Sequence, residues 1–321
     1  MGYVAIPRAH FHKCFTPRAA SFFAPTKPAW EPCDFARQWM QVRHHRQAPL
    51  MPRIIITSDL HLGITSSKTI AQLVAEITAL QPDAVVVAGD LGEPLHVFER
   101  CLDLLGALSC PVGIIAGNHD IWVRPTDDYD SADLFFNRLP AAVRAREMRW
   151  LETDVMRLHD GTVILGTLGW YDYSCRSLLT EQWTEAQFAK AKPGLNNDGN
   201  FVAWRFTDPE FAALLSRTFE QRLSALEADP AVIRIVVATH VPVCVEQLVR
   251  NPSDHPAADA YYANFTLGRV ISKHSKVAAA VSGHTHRPVR FLRQLAGENH
   301  RMLLATIGSE YLRPAFEIIE I

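Results

Sequence analysis

Seven side chains able to bind a metal ion fall in five short runs: Asp59-Leu60-His61, Gly89-Asp90, Gly117-Asn118, His240 and Gly283-His284-Thr285-His286. In an extended segment residues two apart point to the same side, so Asp59 with His61, and His284 with His286, can each reach one ion. The donors are carboxylate oxygen, amide oxygen and imidazole nitrogen, without thiolate. That set suits Mn²⁺, Fe or Zn²⁺ and does not suit a structural Cys-type zinc site. Seven donors exceed the needs of one tetrahedral ion, and Asp90, between two groups of ligands, is placed to bridge a pair. Two divalent ions roughly 3.5–4 Å apart can lower the pKa of a shared water, orient a phosphoryl group and neutralise its oxygens. The expected chemistry is hydrolysis of a phosphate ester. Each run is weak alone, because a Gly-Asp after a strand is commonly a turn and a lone histidine a hydrogen-bonded core residue. Their joint occurrence in order carries the argument.

Every run stands at the end of a predicted strand. Ile54–Thr57 leads into the loop Ser58–Gly63, Ala84–Ala88 into Gly89-Asp90, and Val112–Ala116 into Gly117-Asn118-His119-Asp120. Ile233–Thr239 ends at His240 and Lys276–Ser282 at Gly283, with Met302–Thr306 and Phe316–Ile321 as closing strands. Between the first strands run helical stripes, Ile70, Leu73, Val74 and Ile77 and then Val97, Cys101, Leu104, Leu105 and Leu108. This alternation is the pattern of parallel crossover units, whose carboxyl ends host ligand sites, and by periodicity alone it suggests a doubly wound α/β sheet.

Residues 121–232 separate the two halves as an insertion that includes five of the seven tryptophans, a strand-like run Thr162–Leu168 and a helix opening at Asp208-Pro209-Glu210, with Asp208 as its cap. Within Gly169-Trp170-Tyr171-Asp172-Tyr173-Ser174, the side chains of Trp170, Asp172 and Tyr173 are candidate substrate contacts. The competing reading makes these rings the small core of a cap, and is preferred for Trp170 because large aromatics dominate core energetics.

Composition narrows the partners. Hydrophobic residues make up 48% of the 321, enough for a substantial core, yet no run of 18 apolar residues offers a membrane span. Residues 1–50 hold seven of the 32 Lys/Arg and two of the 34 Asp/Glu, so the remainder carries 25 basic against 32 acidic residues. A body of that sign gives no basic track for long nucleic acid. The six cysteines form no C-x-x-C pair or dense framework, which fits reduced thiols in a cytoplasmic protein. Residues 1–50, with six of the twenty prolines and no core-forming pattern, read as a disordered leader before a single domain over 51–321. An upstream extension with Met51 as alternative start is preferred to an organelle transit segment, and the apolar run is too short for a secretory signal.

Taken together, Asp59-Leu60-His61, Gly89-Asp90, Gly117-Asn118-His119-Asp120, His240 and Gly283-His284-Thr285-His286 resemble the calcineurin-like metallophosphoesterases, over roughly residues 53–309. The resemblance implies an α/β (α+β) fold in which a β-sandwich of two mixed sheets is flanked by helices and carries a cap-like insertion. That departs from the doubly wound sheet. It also implies that Asp59, His61, Asp90 and His286 hold one metal, and Asp90, Asn118, His240 and His284 the other. His119 would lie outside the metal shell as acid or phosphate contact, steadied by Asp120, while a metal-bridging hydroxide attacks a mono- or diester. A small-molecule ester is the expected substrate, with protein partners left open. Two rivals remain: a DNA exonuclease of the same superfamily, which should show basic stripes, and a noncatalytic scaffold, which should have lost ligands. None is lost here.

Overall fold

The computed structural model describes residues 51–250, 255–294 and 301–321; the expected leader, residues 1–50, lies outside them. Two mixed sheets face each other. The first runs β11-β1-β2-β3-β4, from β1 (Arg53–Thr57), β2 (Ala84–Ala88), β3 (Val112–Ile115), β4 (Arg149–Trp150) and β11 (Phe316–Glu320). The second runs β5-β6-β7-β8-β10-β9, from β5 (Met156–Arg157), β6 (Thr162–Thr167), β7 (Arg234–Thr239), β8 (Val277–Ser282), β9 (Val289–Gln294) and β10 (Arg301–Thr306).

The side-chain alternation of β1 shows how the layers form. Ile55 points out to the helices Ser67–Ala79 and Leu95–Leu105, while Ile54 and Ile56 point inward between the sheets. The same inner layer takes Val86 and Ile115 from one side and Ile164, Val236 and Val281 from the other. Alanines at 84, 88, 238, 279 and 305 fill much of the rest, so the sheets approach closely. The outer face of the second sheet is closed by the helices Asp208–Ala228 and Phe265–Ile271, through Phe219, Leu223, Leu267 and Ile271. The sandwich implied by the family resemblance is the fold, and the doubly wound sheet suggested by periodicity is not.

Two expectations are corrected. Residues 121–232 are not wholly an insertion, because β4, β5 and β6 belong to the sheets and β6 pairs in parallel with β7. The cap of the long helix is Thr207, whose side chain accepts from the Glu210 N–H while Glu210 reaches back, with Asp208 already inside.

Strands β1, β2 and β3 are mutually parallel, as are β7 and β8. Their carboxyl ends therefore share one edge of each sheet, and the loops that follow meet there. Cross-sheet bonds fix the meeting: the His284 N–H donates to the Asp59 carboxylate at 3.1 Å, and the ring of His240 bonds the Ala88 carbonyl at 2.9 Å. Among the described residues no helix is long and apolar enough to cross a membrane.

Candidate metal centre

All seven residues expected as ligands lie at this common edge. Asp59, His61 and His286 bring ligand atoms within 4.8 Å of one another, as do Asp59, Asp90 and His240. Asn118 Oδ1 lies 2.8 Å from His240 Nε2 and 3.0 Å from His284 Nδ1. The Asp90 carboxylate is divided between two tasks. Its Oδ1 accepts the His119 N–H at 2.9 Å, while its Oδ2 stands 3.5 Å from His61 Nε2 and 3.5 Å from His240 Nε2. One oxygen thus faces both groups of imidazoles.

The backbone bends unusually to present these groups. Asp59, His61, Asp90, His284 and His286 all have positive φ, between 43° and 70°. Such a conformation costs a non-glycine residue about 1–3 kcal/mol and persists where the surroundings enforce it, most often at functional sites.

Proton placement shows what the cluster lacks. Burial, then the charge that His284 would bring nearby, pushes His240 well below its ordinary pKa, so its ring is neutral. Its Nδ1 faces the Ala88 carbonyl, which only accepts, so the proton sits on Nδ1 and Nε2 carries a lone pair. Burial also lowers His284, whose Nε2 faces the Tyr261 carbonyl at 3.2 Å, leaving the lone pair on Nδ1. Asn118 Nδ2 donates to Asp198 at 2.8 Å, so the amide oxygen faces the two rings. Two imidazole lone pairs therefore face the Asn118 oxygen, at 2.8 and 3.0 Å, with no proton between.

His61 is pushed down to about 3 by burial and by His119, and neither of its buried ring nitrogens makes a hydrogen bond. Asp90 is pushed up by burial and by the charges of Asp59 and Asp120. Orphaned imidazoles beside mutually repelling carboxylates are an arrangement that cations satisfy, so the residues present fit divalent metal.

Glycines let the loops close. At Gly117 a Cβ would stand 2.0 Å from Asp90 Oδ1 and 2.3 Å from its backbone nitrogen. Overpacking of this kind typically costs about 1–3 kcal/mol. Gly117→Ala should lower the melting temperature by about 3–10 °C and reduce bound metal, measured by calorimetry and elemental analysis. Unchanged melting with full metal content would show that the loops do not depend on this contact.

The calcineurin-like phosphoesterase model matches residues 52–288, most of the chain. The chain belongs to the calcineurin-like phosphoesterase family. It is accordingly a hydrolase of phosphate esters that uses metal. Among solved structures it is similar to a phosphopantetheinyl hydrolase from Mycobacterium tuberculosis, with 21% identity and TM-score 0.64, covering 82% of this chain and 91% of the other. It is also similar to a dimetal phosphatase from Danio rerio, with 14% identity and TM-score 0.51, covering 84% and 93%. Those likenesses describe the fold. No curated protein sequence matches the chain.

The remaining residues of this phosphoesterase are placed less as expected. His119 lies at the cluster, its ring 4.7 Å from His61 in an edge contact and stacked on Trp122 at 3.7 Å. Burial, then the neighbouring imidazoles, pushes His119 down to about 3. Asp120 accepts from the backbone N–H groups of Asp90, Gly92 and Gly117, so it ties the second and third motif loops together, and Trp122 steadies His119 in its stead. Burial pushes Asp120 up to about 7 against the pull of those donors.

The substrate wall is not found. Trp170 and Tyr173 are buried, and both donate to Asp208, at 2.8 and 2.6 Å. Lys192 pairs with the same carboxylate at 2.7 Å and lies over the rings of Trp170 and Tyr171. These aromatics are the core of the cap, satisfied around one ion pair. Asp172 accepts from the Ser174 N–H at 3.0 Å, fixing a turn. Trp170→Ala should therefore cost about 3–5 kcal/mol of stability and depress hydrolysis of every ester alike. A shift in substrate preference at unchanged denaturation midpoint would restore the wall.

Three residues near the cluster carried no signal in the sequence. Asp198 sits in the polar string Asn196-Asn197-Asp198-Gly199-Asn200, which reads as an exposed turn, yet it is fully buried. Trp122 resembles any other core aromatic. Tyr311, 5.0 Å from the rings of His61 and His286, is half exposed and lies beyond the motifs.

Proposed function

We propose that the chain hydrolyses a small phosphate mono- or diester, with Asp59, His61, Asp90 and His286 holding one divalent ion and Asp90, Asn118, His240 and His284 the other. The observation that carries this reading is the convergence of lone pairs from Asn118, His240 and His284, opposite an Asp90 oxygen shared with His61. When bound, such ions lower the pKa of coordinated water and neutralise the phosphoryl oxygens. Asp90 sets the spacing of the two halves through Oδ2, and its Oδ1 is kept occupied by the His119 N–H. His119, neutral and backed by Trp122, donates a hydrogen bond from its ring N–H to the departing oxygen as negative charge develops there.

A small substrate is favoured by the acidic balance of residues 51–321 and by the cap packed beside the cluster. The test is a panel of nitrophenyl, alkyl and phosphopantetheine esters with Mn²⁺, run beside linear duplex DNA. The phosphopantetheine member follows from the name of one structural neighbour. Turnover of small esters that chelation abolishes is expected. Degradation of the duplex faster than any small ester would establish the exonuclease reading.

A further inference from the structure

An amide has nearly the same shape in either orientation, so nothing in the outline of Asn118 decides whether the cluster receives an oxygen or an NH₂ group. Asp198 decides it. This carboxylate belongs to the cap, at the start of the short helix Asp198–Phe201, and is fully buried. Its Oδ1 accepts both Asn118 Nδ2 at 2.8 Å and Trp122 Nε1 at 2.7 Å, and its Oδ2 accepts the Tyr171 hydroxyl at 2.9 Å. A carboxylate offers no proton. If Asn118 turned over, its oxygen would face the Asp198 oxygen, and its NH₂ group would occupy the place where two imidazole lone pairs converge. The second bond to Oδ1 reaches the other side of the site, because Trp122 is the ring on which His119 stacks. The backbone reinforces the link, since the Val123 N–H donates to the Phe201 carbonyl at 2.9 Å and Phe201 stacks on Trp122.

We propose that Asp198 is a positioning residue through which the cap completes the metal centre, turning the Asn118 oxygen inward and holding Trp122 behind His119. The inference rests on the two-metal reading above. The test is calorimetric titration of chelated full-length protein with Mn²⁺.

Wild type is expected to bind two ions. In Asp198→Ala one of the two should bind on the order of 10–100-fold more weakly, the usual effect of losing an outer partner of a ligand, while the other changes little. Asp198→Asn should stay within about fivefold, because its oxygen can accept from Asn118 and Trp122 while its NH₂ donates to the Tyr171 oxygen. Both ions bound as in wild type by folded Asp198→Ala would overturn the proposal. A merely structural role would lower the melting temperature without separating the two affinities.

If Asp198→Ala does not fold, a double-mutant cycle decides. Asn118→Asp alone sets two carboxylates face to face and should weaken Mn²⁺ at least tenfold. Adding Asp198→Asn removes one of the two facing charges, and its NH₂ can reach the carboxylate introduced at position 118 only by giving up the Trp122 bond, so part of that loss, roughly threefold or more, should return. A double variant that binds no better than Asn118→Asp overturns the proposal. Wild type that binds no Mn²⁺, Zn²⁺ or Fe²⁺ would defeat the two-metal reading itself and take this inference with it. Two ions in wild type with no effect of the variants defeats the inference alone.

Discussion

Asp90→Asn is expected to reduce kcat/KM on the order of 10²–10⁴-fold with loss of at least one bound ion. The magnitude follows from leaving buried charge uncompensated, about 3–5 kcal/mol, at about 1.4 kcal/mol per tenfold change. The substitution isolates the charge. Asparagine matches aspartate in size and tolerates the positive φ of 57° found here, so the loop keeps its bend. The His119 N–H also retains an acceptor at the Oδ1 position. What changes is the oxygen between His61 and His240, which is replaced by an uncharged NH₂ group. Kinetics on bis-p-nitrophenyl phosphate and elemental analysis of the same sample read both consequences. Full activity with two ions retained would remove Asp90 from the centre of the account.

His119→Ala should cost about 10²–10³-fold in kcat/KM on an alkyl phosphate, the range for losing one hydrogen-bond donor to developing negative charge, and much less on a nitrophenyl ester, whose leaving oxygen retains little of that charge. The ring is held neutral by burial and by its imidazole neighbours, so what it brings to the departing oxygen is one N–H. Metal content decides between two roles. His119 lies close enough to His61 and Asp90 to share an ion with them, and loss of a metal equivalent in the variant would make it a ligand. An equal loss on every ester, with metal retained, would mean that His119 holds the phosphoryl oxygens and not the leaving group.

That the seven metal-capable side chains meet was legible because each of their runs follows a buried apolar strand, and parallel strands bring such ends to one edge. The helical stripe Ile70, Leu73, Val74 and Ile77 is buried as its spacing requires. The sandwich was not legible from periodicity, since a strand apolar on both faces reads identically whether helices cover both faces or a second sheet covers one; the motif resemblance supplied it. Strand β9 was missed for a different reason: it lies at an edge, with Phe291 and Leu292 exposed among arginines. The cap at Thr207 was readable, because Thr207-Asp208-Pro209-Glu210 has the spacing of a capping box. Asp198 was beyond reach, because its burial depends on donors 27 to 80 residues away.

The placement of two ions by these seven residues, one on either side of Asp90, is the expectation on which the mechanism depends. An anomalous difference map from crystals of the Mn²⁺-loaded protein, measured at the manganese edge, tests it most directly. Two peaks roughly 3.5–4 Å apart are expected, one beside Asp59, His61 and His286, the other beside Asn118, His240 and His284, with Asp90 between them. A single peak, or peaks away from Asp90, would contradict it.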